Sequence, residues 1–262
     1  MSEKPRARPR PLLDLAAAIG FLTLLPFGRR WPEGPPPRPV GFYPWVGWLL
    51  GALAVVPLVT VSLLVSESAP VSSALIAALV IAVWALLTRF IHWDGLADTF
   101  DGIWGGSTPE RRLEIMRDSP VGSFGAAAMV MTALVQVTAL AACLERGLLW
   151  PVLAAPVIGR ATVSLAAWTM PAARREGLGA GCVEQPGRYE LIVWFLALVP
   201  FAFVSPGMSV AGAIALACSV LAGAIGIPRL LARPVGGLTG DSMGATIVLT
   251  ETLVLVMGAI LS

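Results

Sequence analysis

The sequence predicts an all-α integral membrane protein, a polytopic helical bundle formed by a single domain over residues 1–262. Of the 262 residues, 56% are hydrophobic and 13% are charged, whereas soluble domains carry about 25% charged residues. The mean hydropathy is +0.80. Apolar runs long enough for spanning helices of about 20 residues recur at 41–66, 68–88, 119–144, 148–170, 191–228 and 242–262. Because 191–228 has room for two helices broken near 205–207, we expect about seven spans.

The distribution of Lys and Arg predicts how these spans are oriented. Basic residues gather before residue 11 and at 29–38, 89–117, 174–188 and 229–233, while 66–72, 145–146 and 205–209 hold a single Arg. Loops rich in Lys and Arg stay in the cytoplasm, so we place the basic loops inside. The first apolar segment, 12–27, is then expected to be a short membrane-embedded helix that enters and returns, or an interfacial one. The dispersed charge, +2 in total, gives no sign of a nucleic-acid partner.

An acidic motif at 92–102, HWDGLADTFDG, follows the second apolar run directly. On a helix, Asp94, Asp98 and Asp101 fall within about 60° of one another on a single face. Neighbouring carboxylates repel, and their burial costs several kcal/mol unless cations compensate. Carboxylate oxygens at this density suit Mg²⁺ or Ca²⁺. We therefore predict a cation site here in preference to a solvated acidic face.

Two further polar segments, 174–181 and 236–246, belong on the same cytoplasmic side under this orientation. Arginines bind phosphate oxygens through paired N–H groups, and glycines let backbone N–H groups approach them. The glycines at 236, 237 and 240, followed by Asp241, are typical of a phosphate-binding turn, although a plain connection between helices remains an alternative. Near a cation site, these residue types indicate phosphate chemistry.

Three lone polar residues within or beside apolar runs are further candidates. Arg160 lies near the middle of 148–170, where a charge usually faces a polar cavity or a partner, so we interpret it as functional. Glu251 in the last run could equally be structural. His92 is the one histidine. It could act as a metal ligand or base, or it could have a packing or capping role.

Six sequence blocks together resemble the cobalamin synthase family, the adenosylcobinamide-GDP ribazoletransferases. They keep the order expected of that family and are spread over nearly the whole chain. The blocks are 21–26, 42–47, 92–102, 112–122, 175–179 and 236–245.

The resemblance implies a reaction in which adenosylcobinamide-GDP and α-ribazole, or its 5′-phosphate, form adenosylcobalamin, or its phosphate, with release of GMP. It also implies Mg²⁺ as cofactor, membrane lipid as surroundings, and a multi-pass location in a bacterial or archaeal cytoplasmic membrane with the active site facing the cytoplasm. The oligomeric state and the choice between free and phosphorylated ribazole stay open.

Roles for individual residues follow from the resemblance and the motifs together. The expected Mg²⁺ ligands are Asp94, Asp98 and Asp101. The expected catalytic residues are Asp241, Asp118 and His92, the first two as an added ligand or proton acceptor. The expected substrate-binding residues are Arg112, Arg117, Arg160, Arg175, Glu176, Gly237 and Gly240.

Two alternatives remain at this point. CDP-alcohol phosphotransferases of phospholipid synthesis also carry spaced aspartates on membrane helices, but their usual pattern has Arg after the Ala of the motif, where this chain has Asp98. An ion-coupled transporter would need charges near the middle of the membrane, whereas these acids gather at one boundary.

Overall fold

The computed structural model describes residues 10–27, 38–64, 72–118, 120–174, 181–183, 186–202 and 210–261. These ranges contain ten α-helices and three short 3₁₀ turns and no β-strand, which confirms the all-α class. In chain order the α-helices are α1 (Pro11–Leu22), α2 (Tyr43–Leu64), α3 (Ser73–Leu87), α4 (Ile91–Gly105), α5 (Pro109–Ile115), α6 (Ser123–Glu145), α7 (Trp150–Thr169), α8 (Arg188–Leu198), α9 (Val210–Ala232) and α10 (Gly240–Leu261).

Five of these helices, α2, α6, α7, α9 and α10, are long and apolar enough to cross a membrane. The number of candidate spans rises to six if the bent pair α3 and α4 counts as one span. The expected number was about seven. The difference lies at α3 and α8, which have only 15 and 11 residues. Helix α8 is continued by a 3₁₀ turn, Val199–Ala202, and residues 203–209 after it lie outside the described ranges. Helix α1, with 12 residues, is too short to cross, as expected.

A sharp bend between α3 and α4 sets the position of the acidic motif. The two helix axes meet at 89°, and the turn uses left-handed backbone at Arg89 (φ 54°) and Phe90 (φ 57°). Residues with a side chain seldom adopt this conformation, so packing of the surrounding helices must hold it. Because of the bend, α4 leaves α3 and packs against α10 and α6.

Helices α2, α7 and α10 form the centre of the bundle. Most of α7 is enclosed by other helices, whereas few residues of α9 are buried. The α2 and α7 backbones come close at Gly47, where a Cβ would lie 2.5 Å from the Pro156 carbonyl oxygen and the Val157 Cα. Small residues at such crossings are typical of membrane helices, where tight packing takes the place of a hydrophobic driving force.

Polar connections between helices meet at one end of the bundle. The chain after α7 pairs with the chain before α10: the Leu238 N–H donates to Pro171 O (2.8 Å), and the Ala173 N–H donates to Leu238 O (2.9 Å). Gly237 permits this pairing, because a Cβ there would lie 2.6 Å from the Ala173 nitrogen. The segments at 171–174 and 236–241 therefore lie side by side.

Candidate functional site

A cavity of about 530 Å³ opens among α1, α2, α4, α7 and α10. Its polar lining includes Asp94, Asp241, Arg89 and Arg174, and its remaining lining is mostly apolar. A concave site with a few convergent charged groups among apolar walls is typical of ligand-binding sites. This cavity is therefore the candidate site.

Direct contact between α4 and α10 brings two of the acids to the cavity. A Cβ at Gly95 would lie 2.7 Å from the Asp241 carbonyl oxygen, and one at Gly244 would lie 3.2 Å from the His92 Cα. Asp94 and Asp241 both line the cavity as a result. Asp98, one turn after Asp94, interacts electrostatically with Asp94 and Asp241. The structure thus places the acid of the last helix beside the acidic motif.

Asp101 has surroundings that differ from those of Asp94. Its two oxygens accept hydrogen bonds from the backbone N–H groups of Gly122 (2.7 Å) and Gly125 (2.9 Å), and a Cβ on either glycine would overlap the carboxylate. A negative charge at a helix N-terminus is stabilising. Asp101 therefore fastens α4 to the start of α6, and it is absent from the cavity lining.

The N-terminus of α10 is organised by reciprocal hydrogen bonds. The Ser242 N–H donates to Thr239 Oγ1 (3.0 Å), and the Thr239 N–H donates to Ser242 Oγ (2.9 Å). Among the described residues, no backbone acceptor takes the N–H of Gly240 or Asp241, and both residues line the cavity. These N–H groups are placed to meet an anion.

Gly237, which we expected to bind phosphate, lies where two segments pair and is absent from the cavity lining. Its N–H donates to Ala232 O (3.1 Å), and its missing side chain makes room for the segment after α7. The N–H group therefore has an acceptor within the fold, and among the predicted glycines only Gly240 lines the cavity.

Arg174 is a half-buried basic residue on the cavity lining, and it was not among the expected site residues. Its Nη2 donates to Leu113 O (2.6 Å), and its Nε has no partner among the described residues. Burial lowers the pKa of Arg174, as does the neighbouring Arg117, while the charge of Asp241 opposes the shift. Arg174 precedes the predicted Arg175 directly, so the basic segment itself was the signal that could have identified it.

The remaining basic and acidic residues that we expected at the site are absent from the cavity lining or lie outside the described residues. Arg117 is exposed beside Arg174. Arg112 donates from Nε to Gly106 O (2.9 Å) and from Nη1 to Pro234 O (2.9 Å), so its guanidinium joins α5 to the turn before α10. Asp118 is exposed after α5 and is absent from the cavity lining. Arg175 and Glu176 lie outside the described residues.

Arg160 lies inside the bundle in an ion pair and does not line the large cavity. Its Nη1 donates to Glu251 Oε1 (2.8 Å) and to Pro156 O (2.9 Å). His92 is buried between this pair and the cavity, since it lines both the cavity and a smaller space beside Arg160 and Glu251. Arg160 thus makes a contact that joins α7 to α10, and its expected role in substrate binding stays a prediction.

Together, these features define a polytopic membrane protein with a cavity that combines carboxylates, guanidinium groups and a helix N-terminus. A model of the cobalamin-5-phosphate synthase family matches residues 14–259, and the chain belongs to this family.

Relatives from several bacteria carry the name adenosylcobinamide-GDP ribazoletransferase. The protein of Syntrophobacter fumaroxidans is 40% identical over 247 residues, which cover 91% of this chain and 94% of the relative. The protein of Bradyrhizobium diazoefficiens is 37% identical over 252 residues (95% and 94%), and one from Escherichia coli is 36% identical over 246 residues (91% and 96%). No solved structure matches the chain. These relatives confirm the resemblance and favour it over both alternatives.

The ion pair of Arg160 and Glu251 generates a prediction about stability. Arg160→Met leaves a buried carboxylate without its partner, which costs about 3–5 kcal/mol. The double variant Arg160→Met/Glu251→Met removes both charges and should recover most of that loss. The measurement is the midpoint of thermal unfolding of each protein purified in detergent. An Arg160→Met protein as stable as the wild type would contradict the structural role.

Proposed function

We propose that the chain transfers the adenosylcobinamide phosphate group of adenosylcobinamide-GDP to α-ribazole or α-ribazole 5′-phosphate and releases GMP. The observation that carries this proposal is family membership over residues 14–259, together with relatives of that name across more than nine-tenths of the chain. The cavity supports it, because acids and basic groups suited to a diphosphate lie on its walls.

In the proposed reaction, the 3′-hydroxyl oxygen of ribazole attacks the phosphorus attached to the corrinoid, and the bond from that phosphorus to the GMP oxygen breaks. The hydroxyl proton passes to a carboxylate of the chain. Asp241 is favoured for this role over Asp118, because Asp241 lines the cavity and Asp118 is exposed away from it. A proton acceptor must come within hydrogen-bond reach of the attacking hydroxyl.

The residues at the crossing of α4 and α10 suit Mg²⁺ by their chemistry. The part of the chain that the structure describes contains no group of three or more His, Cys, Asp or Glu that could hold a metal alone. Mg²⁺ does not need such a cage, because it is usually held by one or two carboxylates with water and substrate phosphate. When bound, Mg²⁺ neutralises the charge of the diphosphate and of the leaving GMP.

Within this proposal, Asp94 and Asp241 would hold the ion, with one oxygen of Asp241 left to accept the hydroxyl proton, and Asp98 would add its charge from the next turn of α4. Asp101 has a supporting role. Both of its oxygens accept backbone N–H groups at the start of α6, so it holds α4 against α6.

The positive groups around the cavity orient the diphosphate. The half-buried Arg174 and the N-terminus of α10 at Gly240 both line the cavity together with Asp241. Guanidinium groups and helix N-termini are favourable partners for phosphate oxygens. Arg117 adds positive charge beside Arg174.

We expect Asp94→Asn, Asp98→Asn and Asp241→Asn each to lower kcat for GMP release by about a hundredfold or more, because each removes a negative charge from the proposed ion site. Glu110→Gln removes an exposed acid from α5 and is the matched control, with activity expected to stay near that of the wild type. Chelation with EDTA should stop the wild-type reaction, and added Mg²⁺ should restore it. Near-normal turnover of any two aspartate variants at saturating Mg²⁺ would refute the assignment.

We also propose that this end of the bundle faces the cytoplasm of a bacterial or archaeal cell, because the basic loops lie on that side. In a protein with Cys218 replaced by Ala, a cysteine at Ser107, in the exposed turn before α5, should react with an impermeant maleimide only in inverted vesicles. A cysteine at Gly147, in the exposed turn between α6 and α7, should react only in intact cells. The reverse pattern would place the site outside.

A further inference from the structure

We propose that the apolar part of the cavity binds the aromatic base of α-ribazole and that Val163 sets the size of the base that fits. This inference rests on the proposed function, since it assigns one of the two substrates to one part of the same site.

The polar and apolar groups of the cavity are separated along α10. Asp241 stands in the first turn, whereas Met243 and Ile247 follow it into the bundle and also line the cavity. Six residues of helix, from 241 to 247, correspond to about 9 Å. Leu22 of α1 and Val163 of α7 complete the buried apolar wall. The cavity therefore extends from a charged rim to a mostly apolar interior, with His92 as a buried polar residue on its lining.

Flat aromatic side chains stand beside this interior. The rings of Phe21 and Tyr43 lie 6.2 Å apart at an angle of 14°, and both residues line the cavity. The Tyr43 hydroxyl is already hydrogen-bonded to the Cys182 sulfur (3.3 Å). Aromatic rings that lie nearly parallel provide a suitable surface for another planar ring.

The volume of the cavity distinguishes between the two substrates. About 530 Å³ lies within the range of sites that enclose drug-sized ligands, roughly 300–1,000 Å³. A benzimidazole riboside is of that size, whereas a corrin ring with its amide side chains is several times bulkier. The corrinoid must therefore remain at the rim, where Arg89 and Arg174 lie.

The apolar wall also favours dimethylbenzimidazole over the guanine base. Guanine carries a carbonyl and an amino group on its ring, and burying them against apolar side chains without hydrogen bonds is costly. Dimethylbenzimidazole carries methyl groups at the corresponding edge, and their burial is favourable. A base held in the interior places its ribose at the rim, where Asp241 can accept the hydroxyl proton.

Val163 is the position at which base size can be tested cleanly. It lies on α7, the most enclosed of the spanning helices, and its side chain faces the cavity with 2% exposure. Val157 is a matched control, because it lies on the same helix with 0% exposure and does not line the cavity. Truncating either valine to alanine removes the same atoms, but only Val163→Ala enlarges the cavity.

The experiment measures KM for each substrate in the full-length protein purified in detergent with Mg²⁺. Val163→Phe should raise KM for α-ribazole about tenfold or more, while KM for adenosylcobinamide-GDP stays within about twofold. Val163→Ala should raise kcat/KM for a naphthimidazole riboside, relative to α-ribazole, by about tenfold. Val157→Ala should leave that ratio unchanged.

An increase in KM for adenosylcobinamide-GDP alone would show that the nucleotide or corrinoid occupies the interior and would overturn the inference. An unchanged base preference in Val163→Ala would overturn it too, and this test remains available should Val163→Phe fail to fold. Failure of the proposed function would look different, because the wild type would release no GMP from the two substrates. In that case equilibrium dialysis with α-ribazole alone still compares Val163→Phe or Val163→Ala with the wild type, and equal affinity of all three would refute the base site.

Discussion

Contact between the backbones of α4 and α10 at Gly95 is the constraint on which the site depends. Glycine inside a helix is unfavourable by roughly 0.5–1 kcal/mol relative to alanine, yet Gly95 lies where any Cβ would meet the Asp241 carbonyl oxygen. That oxygen belongs to the backbone and cannot rotate away. The absence of a side chain at this point lets residues almost 150 positions apart in the chain share one cavity wall.

The close crossing concentrates negative charge, and the rest of the site is arranged around that charge. Asp98 interacts with the acids on both sides of it, and such repulsion must be offset by positive groups. Arg174 and the N-terminus of α10 face the same cavity. The negative charge of Asp101 is balanced in part by two backbone N–H groups at the start of α6, which donate to its carboxylate. The same motif thus supplies residues for the chemistry and a residue that holds its helix in position.

Composition and spacing predict much of this arrangement, because they report hydrophobicity and helical faces directly. The all-α class, the long apolar helices and the helix that carries Asp94 and Asp98 follow from such patterns. The bend at residues 89–90 does not, because no residue type there marks left-handed backbone and tertiary packing imposes it. Contacts between residues that are distant in sequence cannot be predicted in this way either. Spacing alone cannot show that Arg160 meets Glu251, or that Arg174 lines the cavity.

The most direct test of the account is the rate of GMP release by Gly95→Ala compared with Gly105→Ala. Both changes add one methyl group to α4, but the nearest atom to a Cβ at Gly105 is the Ile115 Cδ1 at 3.4 Å, an ordinary contact. If the crossing positions the acids, Gly95→Ala should lower kcat by about a hundredfold, as expected for reacting groups displaced by about 1 Å, while the protein stays folded. Gly105→Ala should remain within about twofold of the wild type. Normal turnover by Gly95→Ala would contradict the central claim.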